Sequence, residues 1–206
     1  MCLTVFCRFA NMNAELEKLF DALYSDNEAI APAAFIKIVE KNLNILESEH
    51  IAEDLEKAWK ILGDYAVYLY ERGSYKNALP YLEKIIAEIE KKNNDPFENE
   101  LFEELIFHRA LANHHLKAKS KAKKDFKLLA QKFPENDVYR KWIKFYKSKI
   151  FRYFEIAFTI LLAISITFSI ILKPEDGIID SIALYGAFIS LFGGIISLIL
   201  RKVITK

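Results

Sequence analysis

Apolar positions change character along this chain. From residue 12 to about 152 they recur three and four apart among charged residues, as Leu16, Leu19, Phe20 and Leu23 do in ELEKLFDALY. That spacing predicts amphipathic helices. From Ile156 to Leu172, and again from Ser181 to Leu200, no residue is charged, which leaves apolar runs of 17 and 20 residues. As helices these would measure roughly 26 and 30 Å, close to the hydrocarbon thickness of a bilayer. Between them KPEDGIID supplies Pro174 and Gly177 for a turn, and its Glu175, Asp176 and Asp180 require water.

Within the charged part, PAAFIKIVEKNLNIL reads as one helix with Pro32 in its first turn. SEHIAEDLEKAWKILGDYAVYLYERG reads as a longer helix, capped by Ser48 and stopped by Gly73. SYKNALPYLEKIIAEIEKKNNDP follows, where Pro80 is tolerable only near the first turn. The expected organisation is a flexible segment 1–11, a cytosolic helical domain 12–135, a basic aromatic helix 136–153, a membrane hairpin 154–202 and a tail 203–206. Its two spans cover about 154–172 and 180–200. MCLTVFCRFA is too short and too poor in leading bases for an export signal, and Cys2 and Cys7 read as free thiols.

The helices also repeat. Leu62, Ala66 and Leu69, the turn Gly73-Ser74-Tyr75, and Ala78, Leu82 and Ile85 are echoed by Ile106, Ala110, Ala122, Phe126 and Leu129, with Pro134 closing the second copy. This pattern resembles the tetratricopeptide repeat, a helix, a tight turn and a second helix whose small residue lets the pair pack closely. The copies stand 44 residues apart, Ala78 to Ala122, against the family's about 34. Arg109 and Asn113 occupy places that are apolar or aromatic in the family, and no glycine follows His115. A helical solenoid of another kind meets the same need, because one helical hairpin cannot hide its apolar face alone. The resemblance implies an all-α fold, a TPR-like solenoid of α-helical hairpins followed by a transmembrane α-helical hairpin. It also implies a concave, partner-binding face carrying Glu56, Lys60, Asp64, Glu103, Phe107 and Asn113.

Charge refines this reading locally. The formal net charge of +1 offers no general surplus for nucleic acid, and no specific nucleic-acid partner is expected. Lys117, Lys121 and Lys124, with Arg140, Lys141, Lys144, Lys147, Lys149 and Arg152, form a candidate surface for anionic lipid or an acidic ligand. Bases flank both spans while the turn holds only Lys173, so the positive-inside rule places both termini in the cytosol. That predicts a two-pass integral membrane protein, with a bacterial inner membrane favoured over an organellar one. Thr159, Ala163 and Thr167 on the first span and Gly186, Ser190 and Gly194 on the second form small-residue stripes, for packing within the hairpin or between copies.

No residue set suggests catalysis, a metal or a cofactor. His108, His114 and His115 do not share a helix face at ligand spacing, and the serines of the spans have no activating partner. The expected function is therefore that of a non-enzymatic adaptor held at the bilayer surface, its repeats binding a protein. The alternative is a membrane-permeabilising effector, of the kind used in bacterial defence, with the repeats as sensor and the hairpin as oligomerising element.

Overall fold

The computed structural model describes the backbone of residues 2–24, 30–48, 52–172 and 177–205, and the side chains of 13–24, 30–48, 54–167 and 184–203. The fold is all-α, with no strand among the described residues. In order the elements are α1 (Cys2–Tyr24), α2 (Pro32–Lys41), α3 (Leu43–Leu46), α4 (Ala52–Glu71), α5 (Tyr75–Lys92), a 3-10 turn (Pro96–Glu98), α6 (Glu100–His115), α7 (Lys119–Lys132), α8 (Asp137–Leu172) and α9 (Gly177–Thr205). The chain divides into two units, residues 1–129 and 130–206.

Several boundaries differ from the periodicity. Helical backbone begins at Cys2, within the segment 1–11 set aside as flexible. PAAFIKIVEKNLNIL is two helices, because Asn42 leaves helical geometry at φ −118° and ψ 16° and bonds its side chain back to the Ile38 carbonyl. The Ser48 hydroxyl donates to the Ile45 carbonyl at the end of α3, and the cap expected from it on α4 falls at residues 49–51, outside the described residues. Pro80 lies inside α5, past the first turn that begins at Tyr75. There it faces solvent, so water can reach the Lys76 carbonyl that the missing N–H would have served. The turn residues Lys173 to Asp176 lie outside the described residues.

In the first unit α4 is the centre: α1, α2, α5 and α6 all pack on it. Gly63 permits the α4–α6 approach, since a Cβ there would stand 3.3 Å from the Leu105 side chain. Trp59, Ile85, Ile86, Phe102, Leu105 and Phe126 are fully buried in this core. Each contributes about 1.5–3 kcal/mol relative to exposure, which is what holds otherwise marginal helices together.

Two turns of the unit are built alike. After α4, Ser74 N–H donates to Leu69 C=O and Gly73 N–H to Tyr70 C=O. After α6, Ala118 N–H donates to Asn113 C=O and Lys117 N–H to His114 C=O. Both are helix stops that need a left-handed residue, Gly73 at φ 79° and Lys117 at φ 63°. Lysine bears a Cβ penalty there that glycine does not. Lys117→Gly is expected to raise unfolding stability by about 1 kcal/mol and Gly73→Ala to lower it by about as much, read as opposite shifts in a thermal melt. Shifts of the same sign would show that the two turns are not equivalent.

The matching turns fix a structural correspondence at 44 residues, from Gly73 to Lys117. Under it the buried Ile61, Leu62, Ala66, Ala78, Leu82 and Ile85 fall on the buried Leu105, Ile106, Ala110, Ala122, Phe126 and Leu129. Tyr65 and Tyr81, an edge-to-face pair 5.1 Å apart that joins α4 to α5, fall on Arg109 and Asp125. The latter join α6 to α7 by two guanidinium bonds of 2.9 and 2.8 Å. One inter-helix clasp is aromatic and its counterpart is ionic, so Arg109, which breaks the apolar pattern, is paired rather than misplaced.

The second unit is dominated by α8, 36 residues long and unbroken from Asp137 to Leu172, and by α9 packed along it. The expected basic aromatic helix and the first span are thus one helix. Ser197 Oγ donates to the Phe151 carbonyl at 3.0 Å, and Arg201 binds Glu155 at 2.7 Å. Further along, the Phe158 ring lies over Gly193, and Ser165 lies against Gly186. The outward sides are apolar and uncovered: Ile164 is 57% exposed and Ile189 63%. Both helices are long and apolar enough to cross a membrane.

Candidate functional site

The six residues expected on a concave face do not form one open surface. Lys60 and Asp64 sit one turn apart on α4 and pair at 2.9 Å. The Tyr24 hydroxyl of α1 donates to the same carboxylate at 2.7 Å, and Lys57 on α4 binds Glu17 of α1 at 2.7 Å. This side of α4 is therefore engaged by the chain's own first helix. Burial, and then the bond to Asp64, hold the Tyr24 hydroxyl far above its ordinary pKa, so it stays a donor. Tyr24→Phe is expected to cost about 1.5–3 kcal/mol of unfolding stability, the range for a hydrogen bond to a charged acceptor, measured by chemical denaturation. No change would show the carboxylate to be satisfied by Lys60 and water.

Glu56 is exposed and meets Lys92 at 3.4 Å, a pair of little energetic weight. It also lines an open cleft of about 400 Å³ with Asn93, Glu98, Asn99, Glu100 and Leu101. The cleft forms because Asp95 and Asn99 each cap the backbone two residues on, at Phe97 and Leu101, and bend the chain sharply between α5 and α6. Glu103 and Phe107 are half-buried, with the Phe107 ring 6.1 Å from that of Phe126. Asn113 is buried at 2% exposure, and its carbonyl closes the α6 turn. It belongs to the interior and not to a binding face.

Sequence reasoning missed two local arrangements. Trp59 donates its indole N–H to Glu88 at 2.6 Å, with the Lys92 ammonium 5.2 Å from its ring. His115 stacks on Tyr75 at 4.2 Å and lies beside Tyr70, tying the α4–α5 turn to the end of α6. In the histidine cluster His108 approaches the Glu104 carbonyl. No group of three or more metal-ligating side chains occurs among the described residues.

The bases fall into two sets. On α7, which buries Ala122, Asp125, Phe126 and Leu129, Lys124 faces outward and Lys121 reaches Glu83 at 3.5 Å; Lys117 holds the preceding turn. On α8 the set runs from Arg140, bonded to Asp137, through Lys141, Lys144, Lys147 and Lys149 to Arg152. Because α8 is continuous through this stretch, Arg152 stands about 6 Å before Ile156 along the helix and Arg140 about 24 Å before it. With a screening length of about 8 Å in physiological salt, only the bases nearest the apolar part would feel a headgroup layer there.

The small-residue stripes divide differently from expectation. Gly186, Ser190 and Gly194 are on the side of α9 toward α8, together with Gly193 and Ser197. Thr159, Ala163 and Thr167 are exposed, away from α9, and the two threonine hydroxyls bond to their own helix at the Glu155 and Ala163 carbonyls. The face of α8 that meets α9 carries Phe151, Glu155, Phe158 and Ser165 instead. Bulk on one helix fills the hollow that glycines leave on the other, so a second small stripe is not needed for this contact.

Comparison with protein-family models, curated proteins and solved structures gives no match.

Proposed function

We propose that this chain is a membrane-anchored adaptor without enzymatic activity. In this reading the hairpins α4–α5 and α6–α7 are tetratricopeptide-like repeats that bind another protein, and α8 and α9 span the bilayer with both ends in the cytosol. The observation that carries it is that the chain joins a charged, well-packed helical unit to two helices whose outward apolar faces are exposed among the described residues. Leaving such faces in water is unfavourable by about 25 cal/mol per Å². Bases before α8's apolar part and at the end of α9 support the orientation.

After alkaline carbonate washing of membranes from cells making the full chain, the protein is expected in the pellet; recovery in the supernatant would reject the anchor. Crosslinking in native membranes, followed by mass spectrometry, is expected to yield one reproducible protein partner. Crosslinks only between copies of the chain would instead favour the permeabilising reading. The engagement of Gly186, Ser190 and Gly194 inside the hairpin supports the adaptor, because it leaves that stripe unavailable for assembly.

A further inference from the structure

Just before its apolar part, α8 carries a strip whose chemistry suits a phosphate ester. α9 covers the side of α8 that bears Phe151, Glu155, Phe158 and Ser165. At about 100° per residue, the opposite side carries Phe145, Lys149, Tyr153 and Ile156, with Arg152 at its edge. Phe145 is 40% exposed, Tyr153 60% and Ile156 51%, so this strip is open. Lys149 Nζ stands 5.0 Å from the Phe145 ring, which keeps the ammonium against the helix while leaving its donors free to turn.

Within a turn of either cation, α8 carries one acid, Glu155, three residues after Arg152. From Val138 to Phe154 the sequence contains no acid. Glu155, the nearest carboxylate, lies on the α9 side and is held by Arg201 at 2.7 Å. Arg152 and Lys149 stand about 6 and 10 Å before Ile156, a depth their side chains bridge to the headgroup layer. Below them Ile156 and Ile160 continue the strip as bare hydrocarbon, more than half exposed.

We propose that Arg152, Lys149 and the Tyr153 hydroxyl form a binding site for the phosphate of an acidic phospholipid, whose acyl chains lie along Ile156 and Ile160. The guanidinium donates two parallel bonds to phosphate oxygens, the ammonium adds a point charge, and the phenol donates a further bond. A soluble phosphate would use the cations alone. A lipid also covers the isoleucines, and that continuity selects it. The site rests on the reading that α8 and α9 span a bilayer.

The full chain, reconstituted in vesicles of phosphatidylcholine with a minority of phosphatidylglycerol, is extracted in mild detergent and its bound lipid measured by mass spectrometry. Phosphatidylglycerol is expected to be enriched over its share of the vesicle, by about fivefold for each base. Lys149→Gln with Arg152→Gln should return the ratio to that of the vesicle. Lys149→Arg with Arg152→Lys should keep most of the enrichment, and Lys76→Gln with Lys84→Gln, on α5, should keep all of it. Equal ratios for the native chain and the Gln pair would overturn the site, as would loss of bound lipid on adding inorganic phosphate. A carbonate wash of the same vesicles separates the two readings. Retention without enrichment rejects only the lipid site, whereas release rejects the spans as well.

Discussion

Asp125→Ala is expected to lower the unfolding free energy of the helical unit by about 3–5 kcal/mol. The carboxylate side chain is 7% exposed and that of Arg109 is 20% exposed, and the pair is bidentate. Removing the acid leaves a guanidinium largely withdrawn from water with nothing to neutralise it, which costs more than the pair itself contributes. The opposite hairpin suggests the remedy, because Tyr65 and Tyr81 occupy the equivalent places without charge, and burial pushes the Tyr65 hydroxyl up to about 12. Exchanging both members, Arg109→Tyr with Asp125→Tyr, should recover most of the loss. Urea unfolding of the full chain in mild detergent, followed by helical circular dichroism, measures both. A loss under about 1 kcal/mol for the single variant would mean the pair behaves as an ordinary surface ion pair.

Gly193→Val should open the α8–α9 hairpin. A Cβ at this position would stand far inside contact distance of the Phe158 ring, and valine adds two methyl groups beyond it. Overpacking of this kind costs about 1–3 kcal/mol, enough for roughly a tenfold shift in a two-state contact. Closure is measured by disulfide yield between Phe151→Cys and Ser197→Cys, sites that the Ser197 bond to the Phe151 carbonyl brings together, with Cys2 and Cys7 changed to Ser. Yield should fall about tenfold with Gly193→Val and recover when Phe158→Ala makes room. If Phe158→Ala leaves the yield low, the two helices do not meet through this knob and hollow.

The repeat was legible because Ala66, Ala78, Ala110 and Ala122 are small where helices must approach, and Leu82, Ile85, Phe126 and Leu129 recur around them. The two long apolar runs were legible for the simpler reason that nothing charged interrupts them. Arg109 looked like a departure because a lone charge in an apolar register carries no sign of its partner. The clue was available in spacing: Arg109 and Asp125 are 16 residues apart, as are Tyr65 and Tyr81.

Asn113 was misplaced for a related reason. The repeat register put it on the concave face, whereas it is buried near the helix end, where its carbonyl closes a turn. The bond from Tyr24 to Asp64 joins residues 40 apart on helices of unrelated period, and no local pattern announces such a contact. On α8 the stripe of Thr159, Ala163 and Thr167 keeps its spacing but lies off the α9 contact, since four-residue periodicity fixes a face without saying which neighbour it meets.

The absence of any break in α8 has a mechanical meaning. The helix is continuous from Asp137 to Leu172, so its basic and apolar parts share one axis. The stretch from Glu155 to Asp137 is about 27 Å long, so a tilt of about 20°, if α8 spans a bilayer, would displace its Asp137 end by roughly 9 Å.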